Sequence, residues 1–261
     1  EKENLLRLIL VPVKAQDWNE PLIISSTKII FEIFEEHKDI QEDLFTEVSP
    51  SLFNLLKIHN VSGNFEVLFN TYRITKLYSK VYFHAIEMVC DDILIIIKDT
   101  FDLLLRTPKK NKLHYNLNDM LFDIINLLIL DFNNKKKACS IFIGKFILDL
   151  KNEDPKNITG SVEKIINFFF SAFEIKEKRS EFMQFSGMDA LLPILQENVT
   201  NVEMMKISFK LMSRIINEED EFKKILRNLR IVEFVSNILA NPLIKKDKEF
   251  TMLAQNLVND L

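Results

Sequence analysis

Apolar residues recur at helical spacing along the chain, and residues 201–217 show the pattern most clearly. Their apolar positions cover more than one stripe of a helix: Met204, Ile207, Phe209, Leu211, Met212, Ile215 and Ile216. So wide an apolar surface is typical of a helix packed between neighbours. Thr200 and Glu203 have the spacing of a capping box, in which two side chains satisfy free backbone amides. The pattern therefore predicts a buried helix that begins near residue 200.

Two shorter predicted helices, 181–185 and 188–197, precede this segment, and the same order of three recurs further along the chain. The second set covers 221–228, 231–240 and 247–261, about forty residues later. Long helices of the third kind are also predicted over 161–174, 116–132, 64–78 and 26–36. Most of their spacings are about forty to forty-six residues, and a longer second helix over 92–106 accounts for the one wider gap. A repeat of this length predicts an α-solenoid, in which each helical set buries its faces by stacking on the next.

Turn residues agree with these divisions. Ser49-Pro50, and Asn116 with Asp119, are predicted to cap and begin helices. Three pairs are predicted to end helices or to bridge them: Thr107-Pro108, Asp154-Pro155 and Asn241-Pro242. No low-complexity linker divides the chain. We therefore expect a single domain over 1–261, with an irregular N-terminal cap over 1–38 and repeats over 39–261.

Composition supports an all-helical fold and argues against several functions. Only 4 glycines and 7 prolines accompany 47% hydrophobic residues, whereas a fold rich in tight turns needs more residues that adopt positive φ. The net charge of −4 argues against nucleic-acid binding. The longest apolar stretch, 93–105, contains Lys98, Asp99 and Asp102, so no membrane span is predicted. Cys90 and Cys139 are expected to be buried, reduced thiols of a cytosolic protein.

The residues that carry catalysis or bind cofactors are scattered. The four histidines, His37, His59, His84 and His114, include no pair at the spacing of a metal-binding helix. The four glycines stand alone, so neither a phosphate loop nor a dinucleotide turn is present. We therefore predict a non-enzymatic protein with no cofactor, no metal site and no small-molecule substrate.

Residues 181–216, EFMQFSGMDALLPILQENVTNVEMMKISFKLMSRII, resemble an armadillo repeat. In that family a short first helix leads through a small residue and a glycine, here Ser186 and Gly187, into a second helix with an apolar-proline-apolar-leucine pattern. The next repeat lacks the glycine and has Arg230 at that place. The resemblance implies an all-α, right-handed superhelical solenoid of about five to six armadillo-like repeats, and a non-catalytic protein–protein interaction scaffold.

The resemblance also implies where partners bind, because the third helices of an armadillo array line its concave face. The importin branch holds basic peptides there with a ladder of Trp and Asn, but the single tryptophan here, Trp18, lies outside the regular repeats. The matching row gives the predicted partner-binding groove: Thr75, Lys76, Asn126, Asn167, Ser171, Ser213 and Arg214. Lys76 and Arg214 favour an acidic or amphipathic partner helix. Alternatively, these two side chains cover neighbouring apolar surface, and Asn126 and Asn167 cap local backbone groups.

Size and composition also resemble the armadillo repeats-only family of apicomplexan parasites. That resemblance implies a scaffold on the cytosolic face of a secretory organelle, the rhoptry, which positions the organelle by recruiting a myosin motor and an adenylate cyclase. Anchoring there is through an acylated N-terminus, and because the chain starts at Glu1 we expect that a preceding segment carries this signal. An armadillo-type regulator or exchange factor of a chaperone or small GTPase is the alternative.

Lysines cluster in three predicted loops. Such runs are ordinarily solvated. The alternative is a basic loop close to an anionic membrane, which reinforces an acyl anchor that binds weakly alone. The predicted membrane-proximal basic loop contains Lys109, Lys110 and Lys112.

Overall fold

The computed structural model describes residues 8–13, 19–90, 92–108, 111–156, 158–216, 220–240 and 247–261. Trp18, Lys109, Lys110 and the Asn241-Pro242 pair lie outside the described residues. The described part consists of helices and their connections, without β-strands. It divides into two compact units, Glu1–Ala138 and Cys139–Leu261, and the boundary falls within one helix.

Unit 1 contains the helices α1 to α7 and the start of α8. Their bounds are α1 Glu20–Glu36, α2 Lys38–Asp43, α3 Phe45–Ser62, α4 Phe65–Ser79, α5 Tyr82–Cys90, α6 Ile93–Arg106, α7 Lys112–Leu128 and α8 Phe132–Asn152. Three long helices form a row in which α4 packs against α1 on one side and α7 on the other. Helix α3 packs on α4 and on α6, so the second helices form a layer behind this row.

A buried polar chain joins the two layers of unit 1. The Tyr72 hydroxyl of α4 lies 2.6 Å from the Thr100 hydroxyl of α6, which donates to the Asn60 side-chain oxygen of α3 at 2.7 Å. Burial raises the pKa of Tyr72, so the phenol stays protonated and able to donate. Three helices are thus fixed by hydrogen bonds as well as by apolar packing.

Unit 2 repeats the arrangement. Its further helices are α9 Ser161–Ala172, α10 Lys176–Gln184, α11 Gly187–Glu197, α12 Val202–Ile216, α13 Asp220–Asn228, α14 Ile231–Ala240 and α15 Lys248–Asp260. Helix α12 packs between α9 and α15, as α4 does in unit 1. Phenylalanines fill much of this core; Phe169, Phe173 and Phe182 are almost fully buried, and the first two have ring centroids 4.9 and 5.0 Å from that of Phe182.

The predicted long third helices are confirmed. They correspond, in chain order, to α1, α4, α7, α9, α12 and α15. The longer second helix is also confirmed, as α6. Between α7 and α9, however, one 21-residue helix, α8, stands where the three-part order has two. This segment contains no proline, and its single glycine, Gly144, is a helical residue, so nothing in the local sequence breaks the helix.

Three predicted helix starts are wrong in detail. Helix α3 begins at Phe45, and Pro50 lies inside it, because Phe45 and Val48 are buried and extend the helix backwards. Helix α7 begins with a capping box of Asn111 and His114 rather than with Asn116. Asn201 caps α12 in place of Thr200, its side-chain oxygen accepting from the Met204 amide at 3.2 Å.

The turns between first and second helices use left-handed residues that are not glycine. Asp92, Ser186 and Arg230 have φ of 66°, 58° and 57°. Arg230 therefore corresponds to Ser186, and the prediction that it replaces Gly187 is wrong. Gly187 is the first residue of α11, where a Cβ atom would lie 2.2 Å from the Phe182 ring. The glycine is needed for this close approach.

Cys139 is buried as expected, but Cys90 is exposed, so that part of the prediction is wrong. Among the described residues, no helix is long and apolar enough to cross a bilayer. The single domain over 1–261, with its N-terminal cap over 1–38, stays a prediction, although α1 within the cap is a regular 17-residue helix.

Candidate protein-binding surface

The third helices of unit 1 line an open surface pocket of about 370 Å³, which we call the unit 1 pocket. Helix α1 contributes Phe31 and Glu35, and α7 contributes Asn116, Asp119, Met120 and Asp123. The central helix α4 contributes Phe69, Arg73, Lys76 and Leu77, and its C-cap residue Lys80 also lines the pocket. Residues three and four apart share a helix face, so the α4 residues form one continuous stripe. The pocket therefore combines apolar walls with charged groups of both signs.

Ion pairs join neighbouring third helices. Lys28 of α1 lies 2.7 Å from Glu66 of α4, and Lys76 of α4 lies 2.6 Å from Asp123 of α7. These pairs are partly exposed, and each contributes about 0–1 kcal/mol. They link the helices that line the pocket, whose packing is chiefly apolar.

Arg73 is held differently. Its guanidinium carbon lies 3.6 Å from the centre of the Phe31 ring on α1, a cation–π contact worth about 0.5–1 kcal/mol at such a partly exposed site. Within the described part of the chain, neither Arg73 nor the pocket residue Glu35 has a hydrogen-bond or ion-pair partner. The guanidinium is therefore oriented by stacking while its donors stay free.

Unit 2 contains the same stacking with a different outcome. Arg214 of α12 lies over Phe170 of α9, again at 3.6 Å, and its Nη1 donates to the Phe170 carbonyl. The same nitrogen lies 3.7 Å from a Glu174 carboxylate oxygen. The donors that stay free on Arg73 are thus used within the fold on Arg214.

A short sequence pattern marks both sites. Residues 31–35, FEIFE, match residues 170–174, FSAFE, and an Arg-Ile pair follows at Arg73 and at Arg214. The offsets between phenylalanine and arginine are 42 and 44 residues, close to one repeat. Phe31, Glu35 and Arg73 were missed among the site residues predicted from sequence, and this pattern was the signal that could have found them.

The predicted groove residues divide between the two units. Thr75 is fully buried, and its hydroxyl donates to the Thr71 carbonyl at 3.0 Å, so it presents no side chain to a partner. Lys76 lines the unit 1 pocket and pairs with Asp123. Asn126 is exposed on α7, one turn after Asp123.

In unit 2, the exposed Asn167 and the half-buried Ser171 lie on α9, and the half-buried Ser213 and Arg214 lie on α12. Lys76 and Arg214 both have partners within the fold, which weakens the argument that they select an acidic helix.

The C-terminal row of unit 2 carries a denser ion network. Lys206 of α12 lies 2.7 Å from Asp247 and 3.1 Å from Glu203, and Lys210 lies 3.0 Å from Glu249. Hydrogen bonds to Asp247 and Glu203 raise the pKa of Lys206, and the bond from Lys206 lowers the pKa of Asp247. Asp247 and Glu249 at the start of α15 are thus paired with lysines of α12, and Glu203 is paired within α12.

The predicted basic loop is described only at Lys112, an exposed residue that begins α7. Lys109 and Lys110 lie outside the described residues. The described chain contains no group of three or more His, Cys, Asp or Glu placed to hold a metal ion.

Comparison with known proteins gives a likeness of fold. No protein-family model matches the chain, and no curated protein matches it. Among solved structures, the designed armadillo repeat protein YIII(Dq)4CqI is similar, with a TM-score of 0.69 and 11% sequence identity over 100% of both chains. Identity this low is evidence of fold alone. The match shows that the chain has an armadillo-repeat fold, as the resemblance of residues 181–216 implies.

Proposed function

We propose that the chain is a non-catalytic protein–protein interaction scaffold, and that its third helices hold a segment of a partner protein. One observation carries the proposal: three consecutive third helices, α1, α4 and α7, line the open unit 1 pocket. The armadillo-repeat fold supports it, because repeat arrays of this kind offer extended surfaces to partners.

The chemistry of the pocket suits a protein segment. Phe69, Leu77 and Met120 provide apolar wall, whereas Arg73, Lys80 and Asp119 provide charge. A site of this kind fixes the orientation of an apolar side chain with a few polar contacts. The Lys76–Asp123 pair and the packing of α4 between α1 and α7 hold the walls in place, so we expect binding with little rearrangement of the helices.

A matched pair of tryptophan variants tests this proposal. Asn116 is an exposed pocket residue on α7, whereas Asn54 is exposed on the second helix α3 and does not line the pocket. Peptides selected from a random display library against the unmodified chain should bind Asn116→Trp at least tenfold more weakly and Asn54→Trp unchanged. Retained affinity in Asn116→Trp would place peptide binding on another surface and overturn the proposal.

The resemblance to the apicomplexan armadillo repeats-only family supports a more specific form of the proposal. In this form the scaffold is held on the cytosolic face of a rhoptry by an acylated N-terminus and recruits a myosin motor and an adenylate cyclase to position the organelle. The loop of Lys109, Lys110 and Lys112 faces the membrane, and the groove residues that are not buried contact the recruited proteins: Lys76, Asn126, Asn167, Ser171, Ser213 and Arg214.

A further inference from the structure

The lining of the unit 1 pocket contains three basic and three acidic residues, which differ in how far they are already paired. Lys76 is neutralised by Asp123, and Asp119 has an interaction of its own. Within the described residues this leaves two cations without an ion-pair partner, Arg73 and the exposed Lys80, against one such carboxylate, Glu35. The cationic groups available to an anionic side chain are therefore Arg73 and Lys80.

Arg73 is the group prepared to bind it. A planar guanidinium presents paired N–H donors that match both oxygens of a carboxylate. The contact with Phe31, 3.6 Å from the guanidinium carbon to the ring centre, restrains the Arg73 side chain, so less side-chain freedom is lost when it binds. A free lysine in the same place would offer a point charge without this orientation.

Unit 2 provides an internal reference. Arg214 has the same stacking distance over Phe170, but it uses Nη1 on the Phe170 carbonyl and lies 3.7 Å from Glu174. Glu35 follows Phe31 by four residues, as Glu174 follows Phe170, but Glu35 makes no ion pair with Arg73. The two sites share a pattern and differ in whether the arginine is already occupied.

We propose that the unit 1 pocket binds an acidic side chain of a partner protein, with Arg73 as the carboxylate-binding group and Lys80 as a supporting charge. The apolar residues Phe69, Leu77 and Met120 receive the apolar neighbours of that side chain. This inference rests on the proposed function, since it names the partner chemistry of the same surface. Glu35 competes with the incoming carboxylate for Arg73.

Two blocked tripeptides that differ in one group test the proposal. The probes are acetyl-Leu-Glu-Leu-amide and acetyl-Leu-Gln-Leu-amide, titrated into the ¹⁵N-labelled chain while the Arg73 Nε–H and pocket amide resonances are followed. The glutamate peptide should shift these resonances and bind about tenfold more tightly than the glutamine peptide, because a hydrogen bond to a charged group is the stronger kind. Equal affinity of the two peptides would overturn the carboxylate site while leaving a peptide-binding scaffold intact.

Three variants localise the effect. Arg73→Gln should abolish the preference for the glutamate peptide, whereas Arg214→Gln, which alters the occupied arginine of unit 2, should leave it unchanged. Glu35→Gln should strengthen glutamate-peptide binding a fewfold by removing the competing carboxylate, a gain that a folding defect cannot produce. The assignment would be contradicted if the preference for the glutamate peptide survived in Arg73→Gln or disappeared in Arg214→Gln. Weaker glutamate-peptide binding in Glu35→Gln would also contradict it, as would no binding of either peptide.

Discussion

Gly187 shows how a single residue determines a helix junction. Its missing side chain allows the start of α11 to lie against Phe182, whose ring is fully buried between Phe169 and Phe173. A ring displaced by an added Cβ atom would therefore have to move against other buried side chains. Steric necessity, rather than a left-handed backbone, explains glycine at this position, since the left-handed residue is the preceding Ser186.

Gly187→Ala should destabilise the chain by about 1–3 kcal/mol, as overpacking of a filled core does. Gly144→Ala is the matched control, because that glycine is helical and exposed, with no atom within 4 Å of the added Cβ. The control should gain about 0.5–1 kcal/mol from the better helix propensity of alanine. Thermal unfolding of the three proteins measures both changes, and equal midpoints for the two variants would contradict the close contact.

The residue scale is also where sequence prediction failed most often. Whether Thr200 or Asn201 caps α12 depends on a one-residue register, and both are good capping residues. Pro50 was predicted to begin a helix, whereas burial of Phe45 and Val48 extends α3 by five residues before it. Local preferences for capping residues and helix starts are outweighed by packing contacts that the sequence does not show.

At the scale of elements, prediction was more successful. The third helices carry apolar residues on several sides, and this pattern is strong enough to locate each of them to within a few residues. Helix α8 departs from the three-part order, which has two helices at this place. The sequence there lacks a helix-breaking residue that would divide it. First helices such as α10 bury little, and in α10 only Phe182 is buried, so their pattern is weak.

A buried aromatic cluster joins α3, α4 and α5 and should make unit 1 sensitive to acid. The His84 ring stacks on Phe45 with centroids 3.9 Å apart, and its Nδ1 is buried without a partner in the described residues. Burial lowers the pKa of His84 below the ordinary histidine value of 6.5, outweighing the opposite influence of Glu87 and Glu42. Burial likewise lowers the pKa of His59 against the influence of Glu20.

The lowered pKa values of His84 and His59 determine how the stability of the fold changes with pH. Above pH 6.5 both states hold a neutral imidazole, and below it the unfolded state binds a proton that the folded state resists. The free energy of unfolding should therefore fall as the pH decreases from about 6.5 towards the lower folded pKa values. His84→Phe keeps the ring stacking and removes one of the two groups, so its unfolding midpoint in urea should fall less between pH 7 and pH 5.5. An identical pH dependence in the variant would contradict the role of His84.

At the scale of the whole molecule, the fold was predictable and much of the site was not. The repeat length and the absence of glycine-rich turns lead to an α-solenoid without any structural information. The contact between Arg73 and Phe31 instead depends on the register of two helices separated by 42 residues along the chain. Lys76 and Arg214 were predicted from their place in a row, but the sequence could not show that Asp123 and the Phe170 carbonyl already engage them.

At this scale we also predict that the basic loop at the start of α7 helps the protein to bind an anionic membrane. Lys112 is the first residue of α7, where the helix dipole disfavours a cation, so helix stability does not explain it. Each lysine near an anionic surface contributes about 1 kcal/mol, so Lys109, Lys110 and Lys112 together would contribute up to about 3 kcal/mol if the loop lies at a membrane. Changing all three to alanine should reduce sedimentation of the chain with phosphatidylserine vesicles at low salt, and added salt should reduce it for the unmodified chain.

A second triple variant separates a local basic surface from net charge. Changing Lys223, Lys224 and Arg227 of α13 to alanine removes the same three positive charges, which lowers the net charge from −4 to −7 in both cases. If the loop faces the membrane, only the first variant loses vesicle binding. Equal losses would mean that overall charge controls the attraction, and undiminished binding of the first variant would remove the loop from the membrane-facing surface.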